Sequence, residues 1–277
     1  MALLTPAGVR ALLADHGLRP SRALGQNFLA DPNTARRIVR LAGVEAGDHV
    51  LEIGAGLGSL TLALLERDAH VLALERDRKL HGVLEQVVAG QGDARVVTGD
   101  ALEIDFAELL GTGTWGCVSN LPYNVATPVI VRLLEQAPSV ESALVMVQRE
   151  VAERLVAVPG SRAYGAVSLR IAYYAHAKIA GIVPRTVFVP APKVDSALVE
   201  LVRRDAPPVD VPSPGRLFEL VRAAFAHRRK MLRRTLPAVL GEGATSLMHD
   251  AGIDPRARPE SLGLAEWAAL ARAEAAA

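Results

Sequence analysis

Between residues 49 and 156 short apolar runs alternate with stretches of helical periodicity, and few architectures accept that pattern. The runs are HVLEIG (49–54), HVLALE (70–75), ARVVTGD (94–100), GCVSN (116–120) and SALVMVQ (142–148). Helical patterns fall at 59–67, 77–88, 126–135 and 149–156. Alternation of this kind predicts a parallel sheet with helices on both faces. The runs do not alternate in polarity, as expected of strands covered on both sides.

The flanks differ. Residues 6–17 predict a short helix with Val9, Leu12 and Leu13 on one side. Pro20 and Gly25 predict a loop as far as Leu29, and Asp31-Pro32 reads as N-cap and first residue of a helix ending at Leu41. From 176 to 204 the chain is Val-rich and punctuated by Pro, which predicts two strands joined by the FVPAPKVD loop, an antiparallel pair closing the sheet edge. Four prolines in RRDAPPVDVPSPG (203–215) mark a linker. Beyond it the pattern is helical, at 214–235, 243–250 and 264–275. The expected organisation is an α/β domain over 1–205, a doubly wound, mostly parallel, Rossmann-like sheet with an N-terminal helical extension. A small all-helical domain covers 206–277.

Bulk properties exclude several classes. The formal net charge of +1 gives no whole-chain case for nucleic acid, so any such case must rest on local clusters. One cysteine, Cys117, rules out an internal disulfide and a cysteine-based zinc site. Seven histidines lack metal-binding spacing, so no metal is expected. The N-terminus lacks the pattern of a secretory signal. No apolar stretch reaches the roughly 18 residues of a membrane span; the segment 165–183 is broken by Arg170, His176 and Lys178. The expectation is a soluble, cytoplasmic protein with no membrane partner, and a monomer by default.

The ends of the runs carry the chemistry. After Glu52-Ile53 the chain reads Gly54-Ala55-Gly56-Leu57-Gly58 and then turns helical. Glycines let backbone approach a ligand, and a helix N-terminus presents free N–H groups. A Gly-rich turn with no ligand explains the loop alone equally well. The dinucleotide fingerprint G-x-G-x-x-G would need its last glycine where Ser59 stands. The form present, E-x-G-x-G-x-G, resembles the first motif of S-adenosylmethionine-dependent methyltransferases. Glu75, 21 residues after Gly54 at the end of the next run, suits the two ribose hydroxyls of a nucleoside-type cofactor. Asp100 ends the third run, where it could accept from an adenine amine or simply cap the following turn. Asn120 ends the fourth. Doubly wound sheets bind ligands at the carboxyl ends of their strands, so Gly54, Gly56, Glu75, Asp100 and Asn120 share one expected edge.

At that edge Asn120-Leu121-Pro122-Tyr123 fits the (Asp/Asn/Ser)-x-Pro-(Tyr/Phe) signature of methyltransferases acting on amide or exocyclic amine nitrogens. The residue types suit the chemistry. An adenine N6 lone pair is delocalised and poorly nucleophilic. The Asn120 side-chain oxygen and the Leu121 carbonyl can accept its two hydrogens, Pro122 fixes the elbow, and Tyr123 can stack on the base for roughly 1–3 kcal/mol. The competing reading is an Asn-Pro turn with a core tyrosine.

LGQNFL (24–29), EIGAGLGSLT (52–61), GDAL (99–102), NLPYN (120–124), FVPAPKVDSA (188–197) and FAHRRKMLRRTL (225–236) occur in this order. Together they resemble the ribosomal RNA adenine N6,N6-dimethyltransferases over nearly the whole chain. The likeness is strongest to the type that dimethylates two adjacent adenosines in a hairpin near the 3′ end of small-subunit (16S) rRNA. That resemblance implies S-adenosyl-L-methionine as cofactor and the small ribosomal subunit as partner. It implies cofactor contacts for Gln26, Asn27 and Leu29, and for Asn120 as well. It also implies that Phe188 and Tyr123 sandwich the target base; from its residues alone, a Phe in a strand is usually core.

The helical pattern 214–235 carries six positive charges and no acid from Arg222 to Leu236: Arg222, Arg228, Arg229, Lys230, Arg233 and Arg234. Phosphate contact is the expectation, with salt-dependent affinity; a solvated charge run is the alternative. The resemblance implies an asparagine where Arg234 stands. Three rivals remain: a large-subunit rRNA methyltransferase of the macrolide-resistance branch, a DNA adenine methyltransferase, for which a target-recognition insert is missing, and a non-catalytic ribosome-assembly factor.

Overall fold

The computed structural model describes residues 2–21 and 23–277. In chain order the elements are α1 (Pro6–Asp15), β1 (Phe28–Leu29), α2 (Pro32–Leu41), β2 (His49–Ile53), α3 (Ser59–Leu65), β3 (His70–Glu75), α4 (Arg78–Val88), β4 (Ala94–Thr98), α5 (Phe106–Leu110), β5 (Trp115–Asn120), α6 (Ala126–Gln136), β6 (Val140–Gln148) and α7 (Arg149–Leu155). There follow α8 (Ala166–Tyr174), β7 (Ala175–Val183), β8 (Phe188–Val189), β9 (Ser196–Arg203), α9 (Pro214–Phe225), α10 (Leu232–Thr235), α11 (Pro237–Leu240), α12 (Ala244–Asp250) and α13 (Leu264–Ala276). The chain divides into two compact units, residues 1–152 with 177–203, and residues 153–176 with 204–277.

The first unit is the doubly wound sheet. Its strand order is β4-β3-β2-β5-β6-β9-β7. β2, β3, β4, β5 and β6 run parallel, and β9 pairs antiparallel with β6. The strands therefore grow outward in opposite directions from the β2–β5 pair, which makes the carboxyl ends of these two strands the topological switch point. β2 and β3 are buried along almost their whole length, which explains their unbroken apolar runs, whereas the outer strand β4 is partly exposed throughout. Asp31 caps α2 by accepting from the Thr34 N–H, with Pro32 at the first helical position, as its sequence predicts. A separate two-stranded sheet joins β1 to β8, pairing Leu29 with Phe188.

The second unit is helical, built around Trp267, Leu217, Leu220 and Met248. It begins earlier than the expected boundary at 205/206, because residues 153–176 belong with it. Tyr164 donates its hydroxyl to the Leu262 carbonyl at 3.0 Å, and Tyr173 packs edge-on against Phe218.

The helix expected over 214–235 is broken. α9 ends at Phe225, and Met231 is extended, with φ −68° and ψ 150°. The Leu232 and Arg233 N–H groups donate to the Ala257 and Pro255 carbonyls at 2.9 Å, instead of continuing α9. Among the described residues no helix is long and apolar enough to cross a membrane.

Candidate active site

The candidate site is a cleft in the first unit with about 1030 Å³ of empty space, partly open to solvent. Gly54, Gly56, Glu75, Asp100 and Asn120 all line it, as expected of one sheet edge. So do Gln26, Asn27, Leu29, Leu121, Pro122 and Tyr123.

β2 and β5 are neighbours, so the glycine loop and the Asn-Leu-Pro-Tyr elbow meet. A Cβ on Gly54 would stand 3.1 Å from Pro122 Cδ, and the residue has φ +76°. Both the space and the backbone require glycine there. At Gly56 a Cβ would press on the Phe28 ring at 3.1 Å. Phe28, which sequence reading passed over in favour of Leu29, is therefore a wall of the cleft.

The elbow is oriented by the segment 23–27. The Asn120 amide donates through Nδ2 to the Asn27 carbonyl at 3.1 Å. A carbonyl can only accept, so the amide nitrogen must face it, and Oδ1 is left as an acceptor. Neither Asn120 Oδ1 nor the Leu121 carbonyl accepts a hydrogen bond among the described residues. Two adjacent acceptors at the elbow are thus open. Asn124 repeats the device: its Nδ2 donates to the Ala23 carbonyl at 2.9 Å. Gln26 accepts from the Ser21 N–H at 2.8 Å and donates to Asp77 at 3.0 Å, joining the same segment to the end of β3. Asn124 and Asp77 went unread in the sequence, since their links to the segment 23–27 span 101 and 51 positions.

The acids are preorganised. Glu75 accepts from the Gly56 N–H through one oxygen and from the Asp77 N–H through the other, both at 2.8 Å. Burial raises its pKa, and these two backbone donors oppose that rise. Each carboxylate oxygen keeps a further lone pair, enough for two hydroxyl donors. Asp100 caps the Leu102 N–H at 2.9 Å and pairs with Arg76 at 3.1 Å while still lining the cleft, so the capping and binding readings coexist. Glu52 lies beneath the loop and accepts from Thr61 Oγ1 at 2.6 Å; burial pushes its carboxyl up to about 8.

Two expected site residues already have partners within the fold. Phe188 does not line the cleft; it is 3% exposed and packs in the core with Leu29, Val183 and Leu198. It pairs with Leu29, a residue of the cleft, in the β1–β8 ribbon. In the helical unit Arg228 is tied to Glu260 at 2.5 Å and to the Ser161 carbonyl at 3.3 Å, so it is a structural cation. Arg222, Arg229, Lys230, Arg233 and Arg234 are exposed, and none pairs with an acid among the described residues.

The family model of the ribosomal RNA adenine dimethylases matches residues 18–275. A Thermobifida fusca protein named ribosomal RNA small subunit methyltransferase A is 53% identical over 276 residues, which cover 97% of this chain and 95% of the relative. A Streptomyces avermitilis protein of the same name is 48% identical, over 98% of this chain and 93% of its own length. Among solved structures, a dimethyladenosine transferase from Plasmodium falciparum superposes with a TM-score of 0.71 at 25% identity, covering 88% of this chain and 95% of that one. The 23S rRNA methyltransferase ErmE gives 0.65 at 26% identity, covering 89% and 99%. The chain belongs to the ribosomal RNA adenine dimethylase family and is an S-adenosylmethionine-dependent methyltransferase of rRNA adenines.

Proposed function

We propose that this protein dimethylates N6 of two adjacent adenosines in a hairpin near the 3′ end of 16S rRNA, acting on the small ribosomal subunit. The observation that carries this reading is the pair of open acceptors, Asn120 Oδ1 and the Leu121 carbonyl, beside the glycine loop at the switch point. The naming of close relatives for the small subunit favours that substrate over the large-subunit alternative.

The donor set of the cleft fits S-adenosylmethionine. Gly54 and Gly56 keep backbone free of Cβ atoms, Glu75 receives the ribose hydroxyls, and Asp100 receives the adenine amine. Gln26, Asn27 and Leu29 border the methionine end. The cofactor supplies a methyl group already activated on a sulfonium. Asn120 and Leu121 accept the two N6 hydrogens of the target adenine, which pins the nitrogen and directs its lone pair toward the donor. Tyr123 stacks on the base. No strongly tuned general base is needed, so these residues act chiefly through position. Arg222, Arg229, Lys230, Arg233 and Arg234 contact phosphates. This reading takes the protein as a monomer acting in the cytoplasm, where its substrate lies.

Methyl transfer from labelled S-adenosylmethionine to three substrates tests the reading: small subunits lacking the dimethyl mark, unmodified large-subunit rRNA, and duplex DNA. We expect N6,N6-dimethyladenosine at two adjacent positions of the small subunit. Label on large-subunit rRNA alone contradicts the substrate. No label, with binding to the small subunit intact, contradicts the chemistry.

A further inference from the structure

Tyr123 lines the cleft, yet its hydroxyl bonds at 2.6 Å to Ser196 Oγ, and Ser196 is fully buried at the start of β9 and lines no part of the cleft. The ring is therefore held from behind, by a strand 73 residues away, while the ring itself borders the cavity. Ser196 in turn is fixed by its pairing opposite Gln148 of β6.

The two methyl transfers ask different things of this site. In each, the N6 lone pair forms the new C–N bond, the methyl–sulfur bond breaks with its electron pair remaining on sulfur, and the displaced N–H proton leaves to water. An unmethylated adenine offers two N–H donors to Asn120 Oδ1 and the Leu121 carbonyl. A monomethylated adenine offers one. Polar anchoring is thereby halved for the second transfer, while the stacking surface is unchanged. The orientation of the ring then carries a larger share of the positioning.

Resting on the function proposed above, we infer that Ser196 is a positioning residue for the second methyl transfer, acting by fixing the Tyr123 ring against which the monomethylated base stacks. The first transfer, with both polar contacts available, depends on it less.

Single-turnover rates on small subunits lacking the mark, with the products resolved as N6-methyladenosine and N6,N6-dimethyladenosine, test this. In Ser196→Ala the first transfer should slow less than about twofold. The second should slow about fivefold more than the first, the rate equivalent of about 1 kcal/mol, and monomethyladenosine should accumulate. Tyr123→Phe, which keeps the ring and deletes only its hydroxyl, should show the same ratio between the two steps. A protein merely destabilised would lose both steps in proportion, so equal slowing of the two steps overturns the inference. A second readout needs no turnover. The chain has four tyrosines, so in 13C-tyrosine spectra the Tyr123 signal is identified by its loss in Tyr123→Phe. Ser196→Ala should shift that signal; an unmoved signal overturns the inference. Failure of the wild-type enzyme to methylate the small subunit would instead overturn the underlying function, a result distinct from either.

Discussion

The cleft and the basic surface of the helical unit use polar residues in opposite ways. In the cleft the polar side chains are held by hydrogen bonds before any ligand arrives, often to a residue far away in sequence, and Asn120 Oδ1 and the Leu121 carbonyl are left open. Asn120 reaches 93 positions to Asn27, Asn124 reaches 101 to Ala23, and both oxygens of Glu75 receive backbone donors. On the helical unit Arg222, Arg229, Lys230, Arg233 and Arg234 have no acidic partner among the described residues. Arg228, which found Glu260, stiffens the fold instead. Arg216 likewise pairs with Glu219 and Glu274. Transfer of a methyl group requires fixed geometry, to which bonded side chains contribute. Tracking a phosphate backbone requires charge, and charge acts at a distance without fixed rotamers.

The comparison breaks most sharply at Asn120. Asn120→Ala removes one open acceptor and the bond to Asn27, and we expect kcat to fall by about 10²–10³, by analogy with loss of one preorganised polar group elsewhere. Steady-state methylation of small subunits measures it. Gly54→Ala comes next. The left-handed backbone and the 3.1 Å approach to Pro122 both oppose a Cβ, so denaturant unfolding should show a loss of about 1–3 kcal/mol together with weaker cofactor binding.

On the other side, Arg229→Ala combined with Lys230→Ala should flatten the dependence of RNA affinity on salt by about one to two units of log–log slope. Arg228→Ala should leave that slope nearly unchanged and lower the unfolding midpoint, because it leaves Glu260 without its partner.

The smallest expected effect concerns pH. Burial raises Glu52 to about 8, so the folded protein holds this proton more tightly than the unfolded chain. Its contribution is fully present below the ordinary Glu range and is lost as pH rises through about 8. Glu52→Gln should accordingly lose less stability than wild type between about pH 6 and about pH 9 in parallel denaturant titrations.

What the sequence made legible follows the range of the forces involved. The strands and crossover helices of the sheet are local patterns, and they stand where periodicity puts them. α8 was not legible: its N-cap, Gly165, offers no side-chain cap, and Arg170 breaks the apolar pattern of the segment without breaking the helix. The break after Phe225 was hidden because helical spacing of apolar residues continues through it, while the carbonyls of Pro255 and Ala257 hold the following residues. In the site, residues at strand ends were readable one at a time. Phe28, Asp77, Asn124 and Ser196 act through partners brought near by folding, and only the geometry reveals them. Phe188 is the converse case: the motif resemblance implies a base contact, and the geometry adds its burial beside Leu29.

The division of labour is tested most directly by measuring subunit binding and single-turnover methylation together, for Asn120→Ala and for the Arg229→Ala, Lys230→Ala pair. We expect Asn120→Ala to bind small subunits as wild type does and to transfer almost no methyl. The basic-surface pair should bind weakly at moderate salt and recover turnover when small subunits are saturating. Loss of binding in Asn120→Ala, or turnover in the basic-surface pair that saturation cannot restore, would contradict the separation of chemistry from capture.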